Sequence, residues 1–117
     1  AYMGLSLFQT INGAYTGNLL ATEKVKREII SKYIPHGELD GFISEVIDCM
    51  SGNITYVGPF GIDMMVVEGG RIVMAEINLR RTMGHVAIAI SPNDDDIQRV
   101  MHVEAGNVYK LKILRAR

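Results

Sequence analysis

At 117 residues, with 48% hydrophobic and 21% charged residues, the chain is long enough for one domain with a real core and too ordinary in composition for disorder. Twelve basic against thirteen acidic residues leave a formal net charge of −1, which excludes a general attraction to nucleic acid or to an anionic membrane surface. A single cysteine, Cys49, excludes a disulfide framework and a thiolate metal cluster. No apolar run approaches a membrane span and the first residues lack a signal-peptide pattern, so the expectation is a cytoplasmic protein.

The chain opens in strand-like sequence without an initiator methionine, which suggests a segment excised from a longer protein. Residues 2–10 predict a strand with Met3, Leu5 and Leu7 on one face. The tract INGAYTGN that follows reads as a loop. It is either a plain connection or a substrate-facing loop, and in the second case Gly13 and Tyr15 are its contacts. Thr22 caps a helix running to about Tyr33, with Val25, Ile29 and Ile30 inward. Glu23, Lys24, Lys26, Arg27 and Glu28 form its solvated face, and Pro35 ends it. A second helix, about Glu38–Met50, carries one apolar stripe of Leu39, Phe42, Ile43, Val46, Ile47 and Met50. Cys49 lies beside that stripe as a small packing residue, and Ser51-Gly52-Asn53 closes the helix.

The stretch from Gly61 to Arg81 organises the rest. Two apolar strands, Ile62–Val67 and Arg71–Asn78, flank Gly69–Gly70, and a Gly-Gly pair suits the hairpin turns that need positive φ. With those two glycines as the loop, Val67 faces Ile72, Met65 faces Met74 and Asp63 faces Glu76. Asn78 follows Glu76 on the same face. Two carboxylates then stand with Cβ atoms roughly 5 Å apart, which is destabilising unless a hard cation lies between them. A slipped register, or a rim where both acids are simply solvated, is the competing reading. Both faces of the hairpin are apolar, so one is covered by the helices and the other by a ligand or a further domain.

Thr82 caps a short helix through Ile90, and Ser91-Pro92-Asn93 with Asp94-Asp95-Asp96 resembles the start of another. Residues 108–114 alternate as a half-exposed terminal strand. His36, His85 and His102 are dispersed, which argues against a zinc site. The elements together predict an α+β fold, an antiparallel sheet with helices packed on one face.

The words GPFGIDMMV and AEINLRRTMGH, with Asp63, then Glu76-Ile77-Asn78, then Arg80, resemble the metal-binding end of the ATP-grasp superfamily. That group includes D-alanine–D-alanine ligase, biotin carboxylase and the large subunit of carbamoyl phosphate synthetase. The resemblance is specific over residues 57–85 and thinner over 3–56. It departs from the pattern at Leu79, where many relatives carry proline. It departs further in that nothing before residue 57 resembles the lysine-bearing half that reads adenine and holds the phosphates. The resemblance therefore implies the C-terminal part of an ATP-grasp domain, inactive alone, whose missing N-terminal half is its partner.

It implies a parent enzyme that activates a carboxylate as an acyl phosphate and joins it to an amine or other nucleophile. Its cofactors are ATP and Mg2+, with Mn2+ able to substitute, and its substrate is a small carboxylate. Glu76 would bridge two cations with Asp63 and Asn78 on either side, and Arg80 would clamp the transferring phosphoryl. Met65 and Met74 would pack on the nucleotide, Ala75 would touch the base, and Arg81 would be a weaker substrate contact. An open apolar sheet face also invites a homodimer. The alternative from a different class is a non-catalytic α/β interaction module whose acids are structural.

Overall fold

A computed structural model of the chain describes residues 2–35, 37–104 and 108–115. In chain order its elements are β1 (Leu7–Ile11), β2 (Ala14–Leu20), α1 (Glu23–Ile30), α2 (Glu38–Asn53), β3 (Gly61–Val67), β4 (Arg71–Asn78), α3 (Met83–Ile90), β5 (Gln98–Glu104) and β6 (Val108–Arg115). This is an α+β fold with a four-stranded antiparallel sheet, ordered β1-β2-β5-β6, and a separate β3–β4 hairpin. The chain divides into two units, Ala1–Glu28 with Met83–Arg117, and Ile29–Thr82. Ala1 and His36 lie outside the described residues.

In the first unit the tract read as a loop is a hairpin turn followed by a strand. Ile11 pairs with Ala14 across Asn12 and Gly13, whose φ values of 51° and 80° are those a two-residue type I′ turn requires. The polar residues that disguised β2 each have a structural reason. A Cβ on Gly17 would lie 2.2 Å from the Met101 carbonyl oxygen, so only glycine fits there. Asn18 is buried, and its amide donates to Ser6 Oγ at 2.6 Å and to the Leu7 carbonyl at 3.2 Å. Its Oδ1 accepts from the Tyr15 hydroxyl. A buried amide so satisfied carries little of the usual desolvation cost.

Helix α1 starts as expected, with Thr22 Oγ1 accepting from the Val25 amide at 3.2 Å. It stops at Ile30, short of Tyr33, and the chain tightens into a turn in which the Tyr33 amide bonds the Ile30 carbonyl at 2.9 Å. Its charged face is not wholly solvated. Lys26 is only 3% exposed, and its ammonium donates to the Leu5 carbonyl beside Glu23. Glu23 also accepts from the Leu5 amide at 2.8 Å and from Tyr2 and Arg27. The segment before β1 is thereby strapped to α1. Burial holds the Lys26 amine below its ordinary pKa, with Glu23 pulling the other way.

Helix α3 runs to Ile90 as expected and packs Ala87 and Met83 on Leu20 and Met101, the heart of this unit. Among the described residues no second helix follows. Asp94–Asp96 form a turn in which the Asp96 amide bonds Asp94 Oδ1 at 2.9 Å, and Asp95 accepts from Thr22 Oγ1 at 2.6 Å. Strand β5 begins directly after it. The aspartates serve local turn and cap chemistry that outcompetes a helix start.

In the second unit α2 turns its stripe inward as the periodicity predicts, burying Leu39 and Met50. It continues past Met50 to Asn53. Among the described residues no helix is long and apolar enough to cross a membrane.

Candidate functional site

The site residues rest on how the β3–β4 hairpin counts. The loop holds three residues, Glu68 to Gly70: Val67 pairs with Arg71, and the Gly70 amide bonds the Val67 carbonyl at 3.1 Å. Gly69 and Gly70 both take positive φ, 91° and 76°. The register near the turn is therefore one residue off the expected one. Val66 faces Ile72, Met65 faces Val73 and Met64 faces Met74. Between Met74 and Glu76 the strand carries an extra residue, Ala75, opposed to nothing on β3. The bulge cancels the longer loop. From there Asp63 faces Glu76, Ile62 faces Ile77 and Gly61 faces Asn78.

Directly paired residues share a face, so Asp63, Glu76 and Asn78 stand together with Met65. Met74 does not join them. Its partner is Met64, which points away from Asp63's face, so the expected pairing of Met65 with Met74 over one ligand is corrected by the register. Met65 is 59% exposed and Met74 44%. Ala75 occupies the bulge itself, beside Glu76.

After Asn78 the chain bends back. A Cβ on Gly61 would sit 3.0 Å from Thr82 Cγ2, so a residue without a side chain lets Thr82 fold over the start of β3. That return keeps Arg80 close. Its guanidinium donates to Asn78 Oδ1 at 3.4 Å and to the Arg81 carbonyl at 3.0 Å. Arg81 thus enters through its backbone, with its side chain exposed. The sequence marked Thr82 as a helix cap and Gly61 as the start of the hairpin stretch, but no local pattern disclosed their contact.

Burial raises the Asp63 carboxyl above its ordinary pKa, the facing Glu76 carboxylate adds to the rise, and Arg80 opposes it. Two carboxylates and an amide oxygen form a hard-oxygen donor set, though among the described residues no group of three His, Cys, Asp or Glu side chains is placed to hold a metal. Such a set fits Mg2+, which keeps waters and shares itself with phosphate oxygens, better than it fits a cation needing a full protein cage.

Gly13 and Tyr15 belong to the first unit. Gly13 is at the β1–β2 turn, and Tyr15 lies in β2 with its hydroxyl engaged by Asn18 and its ring 6.4 Å from that of Phe8. Burial raises the Tyr15 hydroxyl's pKa, with Tyr109 adding to it. His85 is half-buried in α3, and Cys49 is exposed on α2. No model of a known protein family matches the chain, and no curated protein or solved structure does either.

Proposed function

We propose that the β3–β4 hairpin is the cation- and phosphate-binding end of an ATP-dependent ligase of the ATP-grasp kind, in the family's C-terminal subdomain. The observation that carries the reading is the placement of Asp63 opposite Glu76 on one face, with Asn78 and Arg80 beside them. In this reading Glu76, Asp63 and Asn78 would hold Mg2+. When bound, the cation neutralises phosphate oxygens. Arg80 gives up its weak bond to Asn78 and steadies the transferring phosphoryl, where a fixed positive donor acts mainly on the charge that develops during transfer. Met65 and Ala75 supply apolar surface toward the nucleotide. The substrate would be a carboxylate, and the acceptor an amine or another nucleophile.

Mn2+ titrated into the isotopically labelled chain should broaden amide signals around residues 62–64 and 75–79, and Glu76→Gln should abolish the effect. Mg-ATP should add little binding to these 117 residues alone. In a longer polypeptide with ligase activity, Glu76→Gln should abolish turnover and Asn78→Ala should weaken it less, since water can replace a neutral ligand. Arg80→Ala should lower kcat more than it raises KM. Broadening elsewhere, or broadening that survives Glu76→Gln, sinks the proposal.

A second reading, an interaction module with structural acids, is favoured by one feature. Arg80 already offsets Asp63 and occupies the Asn78 oxygen without any cation. It requires that Mn2+ leave the hairpin signals unchanged.

A further inference from the structure

The four-stranded sheet ends at β6, so one edge of this eight-residue strand meets no further strand among the described residues. Its two faces differ sharply. Leu111 pairs with Met101, which is buried against Leu20 and Ala87, and Tyr109 and Ile113 pair with Val103 and Arg99 on that same side. The core face of the sheet therefore runs on into β6, but there it is open: Leu111 is 61% exposed and Ile113 60%. On the opposite face Lys110 and Lys112, both exposed, pair with His102 and Val100. The acid nearest in that ladder, Glu104, bonds His102 at 3.2 Å.

An edge strand with bare backbone groups and an apolar row is a template for another strand. The lysines decide which strand. A second copy of β6 laid alongside about a two-fold axis normal to the sheet brings lysines against lysines, and like charges opposed across strands are unfavourable. A strand that alternates acidic and apolar residues meets both faces at once. Its carboxylates fall beside Lys110 and Lys112, and its apolar side chains fall on Tyr109, Leu111 and Ile113.

We propose that β6 is a docking edge for an extended segment of another polypeptide, acidic at alternate positions and apolar between them, which adds a fifth strand to the sheet. Backbone hydrogen bonds supply attachment, and the two lysines supply selection and register.

The test uses the whole chain and short capped peptides alternating Glu with Val, or Lys with Val, followed by amide chemical shifts and calorimetry. The Glu/Val peptide should bind, shift β6 and β5 signals, and lose affinity as salt rises. The Lys/Val peptide should bind at least about fivefold more weakly, the scale expected of two exposed charge pairs. Charge reversal by Lys110→Glu with Lys112→Glu should invert that order, and N-methylation of alternate peptide amides should abolish binding. Equal binding of both peptides to the native chain overturns the proposal, as does salt-independent binding of the Glu/Val peptide. Concentration-dependent self-association that blocks the peptide also overturns it, by assigning the edge to a second copy. The native-chain comparisons stand even if the double variant fails to fold.

Discussion

Asp63 faces a second carboxylate from partial burial, and that arrangement has a sign in pH. Its native pKa lies above the ordinary value, so the folded chain keeps this proton to higher pH than the unfolded chain does. Stability contributed at this position is therefore largest at acid pH and falls as pH rises from the ordinary carboxylate range through the raised value. Asp63→Asn should remove that slope and raise stability at neutral pH by roughly a few tenths of a kcal/mol, small because the side chain keeps some contact with solvent and Arg80 opposes the rise. Urea unfolding at acid and neutral pH measures it, and a variant less stable at neutral pH contradicts it. Excess Mg2+ should stabilise the native chain and leave the Asn variant unchanged. At this scale the sequence told Asp63 and Glu76 but not Lys26. The facing of the two acids was reached through a turn and a two-residue period, but it holds only because the bulge at Ala75 offsets the extra loop residue. The burial of Lys26 depends on the carbonyl of Leu5, which no local pattern connects to it.

Elements were legible where one strong pattern spoke. The α2 stripe and the β3–β4 hairpin are such cases, although the hairpin's loop takes in Glu68 as well as the two glycines. Strand β2 was hidden because Gly17 and Asn18 resemble loop residues, although Asn12–Gly13 is itself a hairpin signal. Within the β3–β4 turn the two glycines do different work. Gly69 has open space where a Cβ would go, so Gly69→Ala should cost only its positive φ, about 1 kcal/mol. A Cβ on Gly70 would also press at 3.2 Å on Pro35 Cδ and on the Tyr33 carbonyl oxygen. Gly70→Ala should therefore cost more, about 2 kcal/mol. Denaturant midpoints of the two variants check the order, and equal midpoints would show that the contact with residues 33–35 is soft.

For the whole molecule the decisive feature is that one unit is interrupted by the other. β2 and β5 are neighbours in the sheet, yet residues 29–82 form a unit of their own between them in sequence. The hairpin and α2 can form from contacts close in sequence, whereas β2–β5 pairing must first close a long loop. Pulse-labelled refolding should show protection of β3 and β4 amides before those of Gly17–Leu20 and Arg99–His102. Simultaneous protection would mean that the two units fold as one. This arrangement was not legible because β5 was obscured: the aspartates before it have a helix-start composition, and its partner strand had been read as a loop.

The bulge at Ala75 makes β4 a strand with two phases. Up to Val73 the odd-numbered residues lie on the carboxylate face, and from Glu76 onward the even-numbered ones do. Tolerance to charge along the strand therefore skips a beat at Ala75 and does not alternate evenly. A change of length in β4 between the turn and the bulge acts on the phase of the carboxylate end as a substitution there would, without touching a single one of its side chains. A chain that lost Ile72 or Val73 while keeping the loop and the bulge would retain every acid and still take Glu76 out of register with Asp63.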